Sequence, residues 1–164
     1  MTPRPELHSM IRLIRNQRWA ALATQGADGP EASWVAYAPE PDCVGFLLHL
    51  STLATHTRNL LADPCAGLAI SEPERDDTDP QQLARVMIQG RVMVIAKDGT
   101  DYRQATTCYQ RRLPDSPRRF EFDDFLLLRL TPIRIRWVGG FARAYTLDSA
   151  GLQAAAQSLP QTPA

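Results

Sequence analysis

The chain contains a single lysine, Lys97, beside seventeen arginines, and that lysine sits in the turn-like run Lys97-Asp98-Gly99. Neither G-x-x-x-x-G-K-[ST] nor G-x-G-x-x-G occurs, so the two commonest phosphate-cradling glycine loops are absent. A Schiff-base mechanism has no support, because it needs a desolvated amine rather than a turn lysine. Cysteine is scarce as well: Cys43, Cys65 and Cys108 are an odd set without C-x-x-C, which fits neither a disulfide framework nor a zinc knuckle. Reduced cytoplasmic thiols are the plain reading. Net charge is lacking too, with eighteen basic against eighteen acidic residues, which argues against a polyanion-coating protein and against nucleic acid as a partner. No apolar run approaches the about 20 residues that span a bilayer. Met1-Thr2-Pro3-Arg4-Pro5 has no apolar signal-peptide region. The expectation is a soluble cytoplasmic protein with no membrane partner.

What is present is enough apolar material, 44% of 164 residues, for one compact core. Charge is uneven along the chain. Residues 103–143 hold nine arginines against four acids, whereas residues 1–102 hold nine basic against thirteen acidic groups. A basic C-terminal face open to an anionic ligand follows from that imbalance.

Leu7, Met10, Ile11 and Ile14 recur at helical spacing, which predicts an amphipathic helix over Pro5 to Asn16 with arginines outward. Arg18 to Thr24 and Glu31 to Ala38 flank the turn-rich Gly26-Ala27-Asp28-Gly29-Pro30 and read as a β-hairpin. Further strands are expected at Cys43 to Leu50, Cys65 to Ser71 and Arg85 to Ala96, the last interrupted at Gly90 by a bulge or close backbone approach. Asp124 to Leu130 and Ile133 to Val138 read as two strands separated by Thr131-Pro132, and one more follows Gly139-Gly140. Helices are expected over Leu53 to Ala62, with Leu53, Leu60 and Leu61 inward, over Asp101 to Arg112, and over Ser149 to Ser158. Glu72 to Pro80, with five acids and two prolines, has loop composition. Six or seven strands with short turns and small helices give a mostly β, α+β chain, best built as an antiparallel closed or split β-barrel.

The densest polar cluster, Ser51, Thr52, Thr55, His56, Thr57, Arg58 and Asn59, lies where a strand enters a helix. Hydroxyls and an imidazole beside unpaired helix N–H groups make a phosphate seat. The plainer alternative is that Ser51 or Thr52 caps the helix, worth about 1 kcal/mol. His49 and His56 are seven residues apart with no carboxylate partner, so no metal site is expected. No G-x-S-x-G elbow exists, and no catalytic residue is assigned.

The run SWVAYAPEPDCVGFLLHLSTLATHTRNLLADPCAGLAI (Ser33 to Ile70), with RVMIQGRV (Arg85 to Val92) and RWVGGFARAYTL (Arg136 to Leu147), resembles the pyridoxamine 5'-phosphate oxidase-like FMN-binding split barrels. It is most similar to their haem-utilisation branch, for which S-x-L-A-x-H-T-x-N and W-V-G-G-F are typical. The resemblance implies a split-barrel domain of the FMN-binding type over residues 1–147, followed by a short C-terminal helix and frayed tail over 148–164. It implies FMN as cofactor, with Ser33, Trp34 and Val35 on the strand beside the flavin ring. Ser51 and the Thr55-His56 pair fall in the phosphate-binding stretch, His56 stands where many relatives have a lysine, and Arg58 adds charge. Gln89 approaches the flavin edge, and Trp137 with Gly139-Gly140-Phe141 reaches the cofactor across a homodimer interface. Large aromatic surface from Trp34, Tyr37 and Trp137 is expected to be covered in that dimer.

The corresponding C-terminal segment holds only Arg143, so pyridoxamine phosphate oxidation itself is not expected. The haem-utilising relatives carry an added C-terminal domain, and haem oxygenase activity is likewise not expected of a chain ending at Ala164. The main reading is an FMN-dependent oxidoreductase acting on a small molecule. The alternatives are a non-catalytic haem- or flavin-binding protein and a structural dimer with an empty site.

Overall fold

A computed structural model describes residues 5–140 and 143–159. The chain forms helix α1 (Pro5–Asn16), strands β1 (Trp19–Gly26), β2 (Gly29–Ala36), β3 (Ala38–Pro39) and β4 (Phe46–Ser51), and helix α2 (Thr55–Ala62). Strands β5 (Cys65–Ser71) and β6 (Arg85–Val94), helix α3 (Tyr102–Arg112), strands β7 (Phe125–Val138) and β8 (Ala144–Asp148), and helix α4 (Ser149–Gln157) complete it. All strand pairs are antiparallel, in the order β2-β1-β5-β6-β7-β4-β3, with β8 added on β7. The sheet curls into a half-barrel, the split-barrel class expected from the strand pattern.

The split arises on β7. Its first half pairs with β4 (Phe125↔Ser51 to Leu130↔Phe46) and its second half with β8, while β6 runs beside it from Leu128 to Val138. Thr131-Pro132 was expected to divide this stretch into two strands; it is one strand of fourteen residues. Proline lacks the N–H that a central strand needs. Here the register shifts between Gln89 and Gly90, which places Gly90 opposite Pro132, so the missing donor falls at a bulge. A Cβ at Gly90 would collide with the Thr131 carbonyl oxygen, and this close approach is what the interruption in the apolar run encodes.

The main core fills the barrel interior and continues into α1 and α4, through Met10, Ile11, Ile14, Leu152 and Ala155. Tyr37 donates from its hydroxyl to the Ile14 carbonyl at 2.8 Å and ties the end of α1 to the sheet. A second cluster lies under α3, where Leu47, Leu127, Ala105 and Tyr109 meet. Strand β4 is therefore buried on both faces, which explains its continuous apolar sequence where a half-buried strand would alternate. Of the tail expected to fray, residues 160–164 lie outside the described residues, as does Phe141.

Two expectations about side-chain direction are corrected. Leu53 (76%) and Leu61 (53%) are exposed, and only Leu60 turns inward. The Leu53 N–H bonds Ser51 Oγ at 3.1 Å in a tight turn, so the helix starts at Thr55 and its inner face is set by Thr57 and Leu60, three residues apart. Tyr37 and Trp137 are fully buried, so Trp34 alone of the three aromatics contributes exposed surface, stacked on Trp19 with ring centroids 6.1 Å apart.

Candidate functional site

The strand-to-helix junction presents the polar segment in a specific way. The residue preceding α2 is Ala54, which has no side chain to cap it, so neither Ser51 nor Thr52 fills that role. The first N–H groups of α2 are left with no intrahelical partner, as an anion seat requires. Thr57 is wholly buried and its Oγ1 has no partner among the described residues, nor has the buried Oγ of half-buried Ser33 on β2. Asn59 donates to Thr24 Oγ1 at 3.1 Å and pins α2 to β1.

Other features oppose a dianion there. Ser51 Oγ donates its proton to Asp124 Oδ2 at 2.5 Å, placing a carboxylate beside the segment. Asp124 lies 73 residues from Ser51 in sequence, and nothing local to either residue announces the pairing; it follows from the β4–β7 register. Burial lowers the pKa of His56, so its ring adds no charge at neutral pH. Arg58 supplies the cation, exposed and bonded to Thr55 Oγ1 at 3.3 Å.

The remaining residues of the expected set do not converge on this seat. Val35 is a core residue paired with Ala20, and Trp137, 1% exposed, lies in the main core, where it lines a cavity of about 350 Å³ with Ser9 and Leu13 of α1. Trp34 and Gln89 instead share the outer face of the sheet. Two adjacent rows cross that face: Trp34, Ala21, Ala69, Met87 and Arg136, then Ala32, Ala23, Gly67, Gln89 and Arg134. The alternate residues Leu22, Leu68, Ile88 and Ile135 point into the core. Strands lie about 4.8 Å apart, so the small side chains between Trp34 and Met87 floor a strip about 14 Å wide. Stacked Trp19 and Trp34 bound it on one side, and exposed Arg134 and Arg136 on the other.

His49, on β4, belongs to neither arrangement. It is 6% exposed, stacked on Phe120 at 3.7 Å and met edge-on by Tyr109 at 5.7 Å. Burial, then the Arg119 and Lys97 charges, push its pKa down from 6.5 to about 4. Between those values the unfolded chain binds a proton that the folded chain does not, so stability rises with pH across this window. The contribution is complete above the unfolded pKa, about 6.5, and falls away toward about pH 4, totalling about 3 kcal/mol. His49→Phe, which keeps the stack, is expected to remove that dependence. Urea unfolding of both proteins at about pH 7.5 and about pH 4.5 measures it, and an unchanged pH dependence in the variant would place the acid sensitivity on other groups.

The family model for pyridoxamine 5'-phosphate oxidase matches residues 8–139. The chain belongs to that family. Among individual relatives, it is 34% identical over 119 residues to the chloroplastic heme oxygenase HOZ of Arabidopsis thaliana, covering 71% of this chain and 34% of that protein. It thus spans about a third of the length of the plant protein. Heme oxygenase HutZ of Vibrio cholerae is 26% identical over 148 residues, covering 87% of this chain and 81% of HutZ. Among solved structures, a heme binding protein from Mycobacterium smegmatis superposes with a TM-score of 0.80 at 29% identity, covering 92% of this chain and 61% of the other. These similarities agree with the resemblance to the haem-utilisation branch read from the Ser51 to Asn59 and Trp137 to Gly140 segments. Among the described residues no group of three or more His, Cys, Asp or Glu is placed to hold a metal ion, and no helix is long and apolar enough to cross a membrane.

Proposed function

We propose that this protein binds haem, laid flat on the outer face of β1, β2, β5 and β6. The observation that carries the reading is the outward-facing small-residue strip of half-buried Ala21 and Gly67 and exposed Ala23 and Ala69, bounded by stacked tryptophans and by two arginines. A planar macrocycle gains apolar contact on such a floor, and Arg134 and Arg136 pair with its carboxylates. None of the chain's three histidines lies on this face, so the reading rests on the strip and the carboxylate partners, not on an axial imidazole. The haem-related names of three relatives support it. A second copy of the chain covering Trp19, Trp34 and the alanines would make the site a shared one in a homodimer.

The second reading, an FMN-dependent oxidoreductase acting on a small molecule, is favoured by one specific feature: the uncapped start of α2 beside the unpartnered Thr57 hydroxyl. Asp124 and the neutral His56 weaken it by thinning the positive charge that a phosphate dianion needs.

Titration of the full chain with hemin and, separately, with FMN decides between them. Hemin is expected to give a saturating shift of its main absorbance band and to raise the melting temperature, with a gain of about 2.7 kcal/mol at a hundredfold excess over Kd. Arg134→Gln combined with Arg136→Gln is expected to weaken hemin and leave FMN unaffected. A saturating response to FMN with none to hemin would put the flavin reading in its place. Sedimentation with and without hemin tests the shared site, since a ligand touching both chains strengthens assembly.

A further inference from the structure

The basic imbalance of residues 103–143 is not absorbed by the outer face alone. A groove of about 1000 Å³ lies between α1, α3 and the Pro39 to Cys43 turn. Arg12 and Arg15 of α1 and Arg103, Arg111 and Arg112 of α3 all line it. Glu40 is the one carboxylate among the lining residues, and Arg129 takes both of its oxygens at 2.7 Å. Among the described residues, five guanidiniums therefore share a groove with no free carboxylate.

Part of this charge has a structural use. Arg15 donates to the Ala156 and Leu159 carbonyls at 3.0 and 2.8 Å, and Arg112 to the Gln17 carbonyl at 2.8 Å. Cations in the last turns of α1 and α3 also suit the negative helix ends. Neither reason covers Arg12 and Arg103, and Arg111 has only the helix end; the exposed guanidiniums of all three make no hydrogen bond or ion pair among the described residues. Arg103 lies in the first turn of α3, where the helix dipole disfavours a cation. Arg103, Thr107 and Arg111 sit at i, i+4 and i+8, so one helix face delivers them together to the groove. Arg112 Nε is buried without a partner among the described residues. An unmade buried donor beside uncompensated like charges is the complement of an absent anion.

We propose that this groove binds a small, multiply charged oxyanion, a diphosphate or a polycarboxylate, through Arg12, Arg103, Arg111 and Arg112. Guanidinium forks match both chemistries. No lining residue belongs to the outer-face strip or to the Ser51 to Arg58 segment, so the ligand is additional to the one proposed above.

Calorimetric titration of the full chain with inorganic pyrophosphate and with citrate, at constant ionic strength, tests it. Saturable binding of either is expected: pyrophosphate alone identifies a phosphate ligand, citrate alone a carboxylate. Arg103→Gln with Arg111→Gln is expected to weaken that binding at least about tenfold. The same double variant should bind hemin as the wild type does and, ligand-free at low salt, melt no lower. Arg112→Lys, which keeps the charge but loses the fork, should also weaken binding. Absence of saturable binding for both probes, undiminished affinity in the double variant, or a lower melting temperature for it would overturn the proposal. Failure of hemin to bind a protein that still binds pyrophosphate would overturn the haem reading and leave this one standing.

Discussion

Trp137→Ala is expected to cost about 3–5 kcal/mol of folding stability, the range for truncating a buried large aromatic, while Trp137→Phe costs under about 1.5 kcal/mol. The contrast follows from the side chain's surroundings. Trp137 is 1% exposed within the main core, and its Nε1–H has no hydrogen-bond partner among the described residues. Alanine empties the volume and leaves the walls from α1 and the sheet without contacts. Phenylalanine keeps most of the volume and removes a buried donor that was already unmade, which offsets part of the loss. Urea denaturation of the two variants measures both costs. Hemin titration of Trp137→Phe then separates packing from ligand contact: affinity is expected to stay at the wild-type value, because a core residue offers the ligand no surface. A similar loss in both variants would mean that the indole N–H has a partner in solution.

Arg129→Met should destabilise the protein by about 3–5 kcal/mol, for a different reason. Arg129 donates from Nε and Nη2 to the two oxygens of Glu40, and from Nη1 to Asp101, each at 2.7 Å. The Glu40 side chain is only 10% exposed, so removing its partner strands a carboxylate in a place where water cannot replace the guanidinium. A Cβ at Gly45 would strike that carboxylate, which is why the β3–β4 turn carries glycine beside the pair. Replacing Glu40 by leucine in the same protein is expected to recover much of the loss, because the cost belongs to the orphaned charge. The bond to Arg129 also holds the Asp101 carboxyl below its usual range. Its contribution is present above the unfolded carboxyl pKa and lost as pH falls through the lower folded value, so Arg129→Met should flatten the acid limb of the stability profile. Chemical denaturation of the single and double variants across that range checks each step. Equal stability of the single and double variants would show that Glu40 finds solvent once its partner is gone.

The amino-acid sequence by itself determined the strand and helix pattern, the hairpin at Asp28-Gly29, the bulge at Gly90 and the polar segment after β4. These features depend on neighbours within a few residues, where side-chain period, turn residues and backbone sterics act directly. It also carried the family, because the Ser51 to Asn59 and Trp137 to Gly140 runs are contiguous. The tertiary structure decided which face of each element is inside. A helical or alternating period names two faces, but only closure of the sheet made Leu53 and Leu61 outer, Trp137 core and Trp34 surface. It joined β7 across Pro132, since the compensating glycine sits on another strand. It brought Asp124 to Ser51, Arg129 to Glu40, and arginines from α1 and α3 to one groove. Those pairings span tens of residues and are set by strand register and by helices docking on the sheet, quantities that no local pattern in the chain encodes.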